Sequence, residues 1–109
     1  MLGEKETRAA ARKIIRCVAR VTLPGTVTVK ARTFDVSMAG MSVIVENPLP
    51  LNERYEIAFE TLAGGKPLKV NVKGRAIHCS LSGTDGFRVG FHFEHNDEAT
   101  AKVIRQLLS

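Results

Sequence analysis

Apolar and polar residues alternate along most of the chain, the period-two signature of strands that bury one face. The first run sets Ile15, Cys17, Ala19, Val21 and Leu23 against Arg16, Val18, Arg20 and Thr22, until Pro24-Gly25 turns the chain. Thr26–Phe34 sets Val27, Val29 and Ala31 against Thr26, Thr28, Lys30 and Arg32. Gly40–Val45 carries Met41, Val43 and Val45 on one side and stops before Pro48-Leu49-Pro50. A fourth strand, Arg54–Thr61, leads to a Gly64-Gly65 loop, and Leu68–Ala76 alternates Val70, Val72, Gly74 and Ala76 with Lys69, Asn71, Lys73 and Arg75. After a loop at Ser82–Gly86, Phe87, Val89, Phe91 and Phe93 line one face of a last strand. These six runs, joined by tight turns, predict a mainly β fold: a small antiparallel barrel, closed or nearly so.

The pattern changes at both ends. From Asn96 the period lengthens to that of a helix. Asn96 is a good cap, Asp97 and Glu98 suit the positive end of the helix dipole, and Ala99, Val103, Ile104, Leu107 and Leu108 form an apolar stripe. The first residues are charged and Ala-rich with no strand pattern, and read as a flexible N-terminal arm, helical or mobile. The expected organisation is an arm over 1–13, a barrel over 14–95 and a C-terminal helix over 96–109.

A chain of 109 residues suffices for one domain with one core, and its 44% hydrophobic and 25% charged residues are ordinary for a globular protein. The net charge of +5 changes the picture more. It suits an anionic partner, whether nucleic acid, nucleotide or acidic membrane surface, without choosing among them. No apolar run approaches the ~20 residues of a membrane span, and Met1-Leu2-Gly3-Glu4-Lys5-Glu6 has no signal-peptide core. Cys17 and Cys79 stand far apart without metal-type spacing, which fits a reduced, cytoplasmic setting. The chain reads as a domain that stands alone or is part of a longer protein.

Motifs for catalysis are missing. His78, His92 and His95 have no acidic or Cys partner at metal-ligand spacing, so no metal is expected. Ser37 lies in no nucleophile elbow, and Gly64-Gly65-Lys66 is followed by Pro67 rather than by a phosphate-binding loop. The chain is therefore expected not to be an enzyme, though it could be a regulatory piece of one.

Two basic and polar features remain. Arg8, Arg12, Arg16 and Arg20 recur every fourth residue. Arg16 and Arg20 fall within the first strand pattern and point away from its apolar set, whereas Arg8 and Arg12 precede it. A guanidinium is a planar fork of donors that matches phosphate oxygens and the Hoogsteen edge of guanine. The second feature is Asp35-Val36-Ser37-Met38-Ala39-Gly40, between the second and third strands. Asp, Ser and Gly all favour turns, so an ordinary turn is one reading. The other is a ligand site, in which Asp35 accepts from the N1–H and N2–H of a guanine, Ser37 donates to a phosphate and Gly40 lets the backbone pass close to the ligand.

The chain resembles the PilZ domain family, whose members carry Arg-x-x-x-Arg before the barrel and [Asp/Asn]-x-Ser-x-x-Gly between its second and third strands. Phe87-Arg88-Val89-Gly90-Phe91-His92-Phe93 followed by a helix also resembles the family's end. The resemblance runs from Arg8 to Leu108 and implies a six-stranded PilZ-type barrel that binds cyclic di-GMP. Arg8-Ala9-Ala10-Ala11-Arg12 leaves room for a full strand and hairpin before Asp35, whereas a pair ending at Arg20 would fall inside the first strand, so the resemblance assigns ligand contacts to Arg8, Arg12, Asp35, Ser37 and Gly40, with Arg12-Lys13-Ile14-Ile15-Arg16 as the fallback frame. Arg16, Met38 and Ala39 are secondary candidates. Where many relatives carry a further arginine the chain has Thr7, which leaves fewer cations for the four phosphates of an intercalated ligand dimer. The family implies a receptor that acts on an attached domain or partner protein, as in motility or cellulose and exopolysaccharide synthesis. It implies a place in the cytoplasm, alone or as a cytoplasmic domain of an inner-membrane protein, with membrane contact only through that parent. The alternatives are a basic barrel for single-stranded nucleic acid and a module that docks only protein. Phe87, Phe91 and Phe93 share the inward parity of their strand, which argues against nucleic acid.

Overall fold

The computed structural model describes residues 12–23, 25, 27–94 and 98–109. Arg8 and the rest of the arm up to Ala11, Pro24 of the first turn, His95, and the capping pair Asn96-Asp97 lie outside the described residues. Among the described residues seven strands form one antiparallel sheet: β1 (Lys13–Ile14), β2 (Val18–Thr22), β3 (Thr28–Val36), β4 (Gly40–Val45), β5 (Arg54–Ala63), β6 (Lys66–Leu81) and β7 (Phe87–Phe93). Helix α1 (Glu98–Leu108) follows. The strand order is β1-β3-β2-β5-β6-β7-β4, and β4 pairs back onto β3, so the sheet closes into a barrel.

The barrel has six staves, because β1 and β2 are one strand broken in the middle. Both pair with β3 on the edge opposite β4. Alternation alone predicts an unbroken strand from Ile15 to Leu23, and the structure corrects this. Residues 15–17 leave the ladder, and the buried Thr33 hydroxyl bridges the gap. It accepts from Cys17 N–H at 2.9 Å and donates to the Ile15 carbonyl. The backbone bonds Ile15 N–H to Phe34 O at 3.1 Å and Thr33 N–H to Cys17 O at 2.8 Å flank it.

Strand β6 is also longer than the expected Leu68–Ala76. Its first part pairs with β5 and its second with β7, with a register shift between Ala76 and His78. That shift leaves Ile77 exposed and reverses the parity of the residues after it. The apolar alternation therefore stops at Ala76 while the strand continues to Leu81.

The inward faces meet in one core. Val21, Val43, Ile57, Ala76 and Val89 have no exposed surface, and Tyr55 packs edge-on to Phe91 with ring centroids 5.5 Å apart. Helix α1 adds Ile104 and Leu107, each contributing about 1.5–3 kcal/mol by burial. Lys13 fastens the C-terminal end of α1, its Nζ donating to the Leu107 carbonyl at 3.0 Å, where a cation meets unsatisfied carbonyls and the negative end of the dipole. Where β7 ends, Glu94 accepts from Arg54 Nε at 2.8 Å and Arg75 Nε at 3.0 Å. Burial pushes the Glu94 carboxyl up, but these two guanidiniums outweigh it and the net shift is downward.

Candidate ligand-binding site

A single extra residue in β3 creates the site. Thr33 pairs with Val43 and Asp35 with Ser42, so Phe34 has no partner on β4. By plain alternation Asp35 would follow Ala31 and Thr33 into the barrel. The bulge re-aims it, so that Phe34 and Asp35 both face outward and Val36 takes the inward place with no exposed surface.

Three donors hold the Asp35 carboxylate. Ser42 Oγ–H donates to Oδ1 at 2.6 Å, Arg88 Nη2 to Oδ2 at 3.0 Å and Arg12 Nη1 to Oδ1 at 3.3 Å. Arg88 Nε also donates to Ser42 Oγ at 3.2 Å, and its guanidinium lies over the Phe34 ring, 4.2 Å from the centroid. Arg16 approaches the same ring at 5.2 Å. Asp35 is buried at 6% side-chain exposure, while Arg12 remains 50% exposed and Arg88 36%. Hydrogen bonds between ionised partners are roughly twice as strong as neutral ones, so this shielded carboxylate is held firmly in one orientation.

Ser37 and Gly40 shape the turn after β3. Ser37 N–H donates to Gly40 O at 2.8 Å, and Ser37 Oγ accepts from Ala39 and Gly40 N–H at 3.2 and 3.3 Å. The hydroxyl proton goes to the Gly40 carbonyl at 3.3 Å, and the side chain is buried. Met38 and Ala39 are exposed at the tip. Gly40 also has a reason that needs no ligand. It pairs with His92, and a Cβ there would stand 2.0 Å from the Phe91 carbonyl oxygen, so strand packing by itself demands glycine.

The structure thus brings Arg12 and Asp35 together, sets Ser37 in the adjoining turn and places Arg16 by Phe34. Arg20 is apart, opposite Lys30 and Ala58. Sequence reasoning missed Ser42 and Arg88. The outward parity of Arg88 on its strand was the available signal. A separate groove of about 810 Å³ lies at the other end of the β3–β4 pair, lined by Lys30, Arg32, Glu46, Pro48 and Asp85 among others and by none of the site residues above. Among the described residues no group of His, Cys, Asp and Glu could hold a metal ion, and no helix is long and apolar enough to cross a membrane.

Residues 6–109 match the PilZ domain. The chain belongs to the PilZ domain family. Solved PilZ structures share its fold at low identity. The PilZ domain of CeSA from a cellulose-synthesizing bacterium is 20% identical with a TM-score of 0.64, over 90% of this chain and 94% of that one. The PilZ domain of YcgR from Escherichia coli, solved with c-di-GMP, is 16% identical with a TM-score of 0.69, over 90% and 86%. The inhibitor of motility MotI/DgrA of Bacillus subtilis is 8% identical with a TM-score of 0.72, over 92% of this chain, which spans 51% of that protein. No curated protein matches in sequence. PilZ domains are binding and regulatory domains rather than catalytic ones, and the closed six-stranded barrel with its C-terminal helix agrees with the fold expected from the sequence.

Proposed function

We propose that this PilZ domain is a receptor for cyclic di-GMP, bound on the outer face of β3 and β4. The observation that carries this reading is the placement of Asp35. A carboxylate has about four acceptor sites and three are occupied here, two on Oδ1 and one on Oδ2. The N1–H and N2–H of guanine need one site on each oxygen. Oδ2 has one open, and Oδ1 gains one when Arg12 leaves, its contact being the longest of the three and its side chain the most exposed. Arg12 is then free to meet a ligand phosphate while Ser42 and Arg88 keep the carboxylate oriented.

Arg8 joins Arg12 on the phosphates in this scheme. Ser37 keeps both of its N–H contacts if its hydroxyl proton turns from the Gly40 carbonyl to a phosphate, because that carbonyl still accepts from Ser37 N–H. Met38 and Ala39 border the ligand at the turn. The exchange of Arg12 from Asp35 to phosphate repositions the segment before β1, and an attached domain or partner protein reads that change. No metal takes part. Such a receptor acts in the cytoplasm, alone or attached to an inner-membrane protein, and the CeSA and MotI/DgrA neighbours make cellulose synthesis and motility the outputs to examine first. A single-strand nucleic-acid platform would need several exposed aromatics along a strand, whereas Phe59, Phe91 and Phe93 are buried and the outward Phe34 is covered by Arg88.

Isothermal titration calorimetry with cyclic di-GMP tests the proposal. Saturable one-site or two-site binding is expected, and no binding heat at tens of micromolar chain would sink it.

A further inference from the structure

Among the described residues, Arg or Lys stands directly opposite Arg or Lys at two places in the barrel. Arg54 on β5 faces Arg75 on β6, and Glu94 bridges them, accepting from the two guanidiniums at 2.8 and 3.0 Å. Arg20 on β2 faces Lys30 on β3, and Arg32 follows two positions along β3 on the same outer face. All three side chains are exposed, and none forms a hydrogen bond or ion pair with another described residue. Glu56 and Glu60, on either side of Ala58, the β5 partner of Arg20, stand opposite Lys73 and Lys69 instead. Like charges directly opposite each other destabilise a sheet. The first pair has its anion within the fold, and the second lacks one.

We infer that the outer face of β2 and β3 docks an extended acidic segment of a partner protein, one carboxylate of which sits between Arg20 and Lys30 as Glu94 sits between Arg54 and Arg75. The inference adds a partner surface to the receptor reading and does not depend on cyclic di-GMP. Two features select a peptide over other polyanions. Lys30 and Arg32 are alternate residues of one strand, about 7 Å apart along it, which is also the spacing of alternate side chains on an extended peptide. They line the separate groove described above, and Glu46 and Asp85 line it too. A bilayer or a nucleic-acid backbone is negative over its whole contact area and would meet those two acids as well as the cations, a costly juxtaposition. A segment that alternates acidic and apolar residues sets its carboxylates against Lys30 and Arg32 alone. The half-buried Val29 and Ile44 and the exposed Pro48 offer the apolar contacts in the same groove.

The test is titration of the ¹⁵N-labelled full chain at low salt with a short peptide of alternating Glu and Val, beside the same peptide with Gln for Glu. Saturable movement of the Arg20, Lys30, Arg32 and Ile44 amide signals is expected with the Glu peptide and not with the Gln peptide. Lys30→Glu should weaken that binding about tenfold. The same substitution puts opposite charges across the ladder, so its urea midpoint should hold or rise. No movement with either peptide, equal affinity for the two, or undiminished binding by Lys30→Glu overturns the inference. A lower midpoint for Lys30→Glu also overturns it, because the cations would then not be in conflict. Sedimentation with phosphatidylglycerol vesicles that needs Lys30 and is not competed by the Glu peptide would make the face a membrane contact, which again overturns it. Calorimetry of Lys30→Glu with cyclic di-GMP keeps the two readings apart: nucleotide affinity should be unchanged, and absence of nucleotide binding in the unsubstituted chain would count against the receptor reading alone.

Discussion

Gly40→Ala separates the two reasons a glycine can stand in this motif. The added Cβ would lie 2.0 Å from the Phe91 carbonyl oxygen and 3.1 Å from its carbon, where ordinary contact begins near 3.4 Å. The obstacle is backbone, so relief requires β4 and β7 to move apart by more than an ångström. That movement strains the Gly40–His92 pairing and the Phe93 N–H to Ala39 O bond of 2.9 Å. Overpacking costs about 1–3 kcal/mol and a weakened ladder bond about 0.5–1.5 kcal/mol, so a loss of about 2–4 kcal/mol is expected. Urea denaturation followed by far-ultraviolet circular dichroism reads this as a lower midpoint with an unchanged slope. Gly90→Ala is the internal control. Its Cβ would meet the Nε2 end of an exposed His78 side chain that can swing aside, so a cost under about 1 kcal/mol is expected. Equal stability of Gly40→Ala and the unsubstituted chain would refute the packing argument. Equal stability combined with lost ligand binding would restore close ligand approach as the reason for Gly40.

Other consequences can be checked with the same preparations. Thr33→Val keeps the shape but strands Cys17 N–H and the Ile15 carbonyl, so thermal melts should show a loss of about 2–4 kcal/mol; an unchanged melt would contradict the bridging role. Because the folded pKa of Glu94 lies below its ordinary 4.5, its contribution to stability is complete above that value. It disappears as the pH falls through the lower folded value, so Glu94→Gln should flatten the acid limb of the urea midpoint against pH, and parallel curves would be the contrary result. Asp35→Ala and Arg12→Ala each remove a charge-assisted contact worth about 1.5–3 kcal/mol, so calorimetry should show cyclic di-GMP binding weakened about ten- to hundred-fold. Arg20→Ala should bind like the unsubstituted chain, and a large loss there would show that the arginine pair is wrongly assigned.

The barrel was legible in the sequence because most of its strands obey strict alternation, as in the inward Phe91 and Phe93 and the inward Met41, Val43 and Val45. What alternation cannot show is a one-residue insertion. The bulge at Phe34 turns Asp35 outward against its parity, and the shift at Ile77 hides the second half of β6. The break at residues 15–17 is set by a hydroxyl on another strand, Thr33, and so leaves no local trace. The motif residues Arg12 and Asp35 were readable as a pair through family resemblance. Ser42 and Arg88 were not, since their place beside Asp35 depends on the cross-strand register of β3, β4 and β7.

The location of the ligand is the central claim, and titration of the ¹⁵N-labelled chain with cyclic di-GMP tests it directly by amide chemical shifts. The predicted result is saturable movement of the signals of Arg12, Phe34, Asp35, Ser42 and Arg88, with little change along the outer face of β2 and β5 around Arg20 and Ala58. No movement at saturating nucleotide, or shifts confined to the β2–β5 face, would contradict the account.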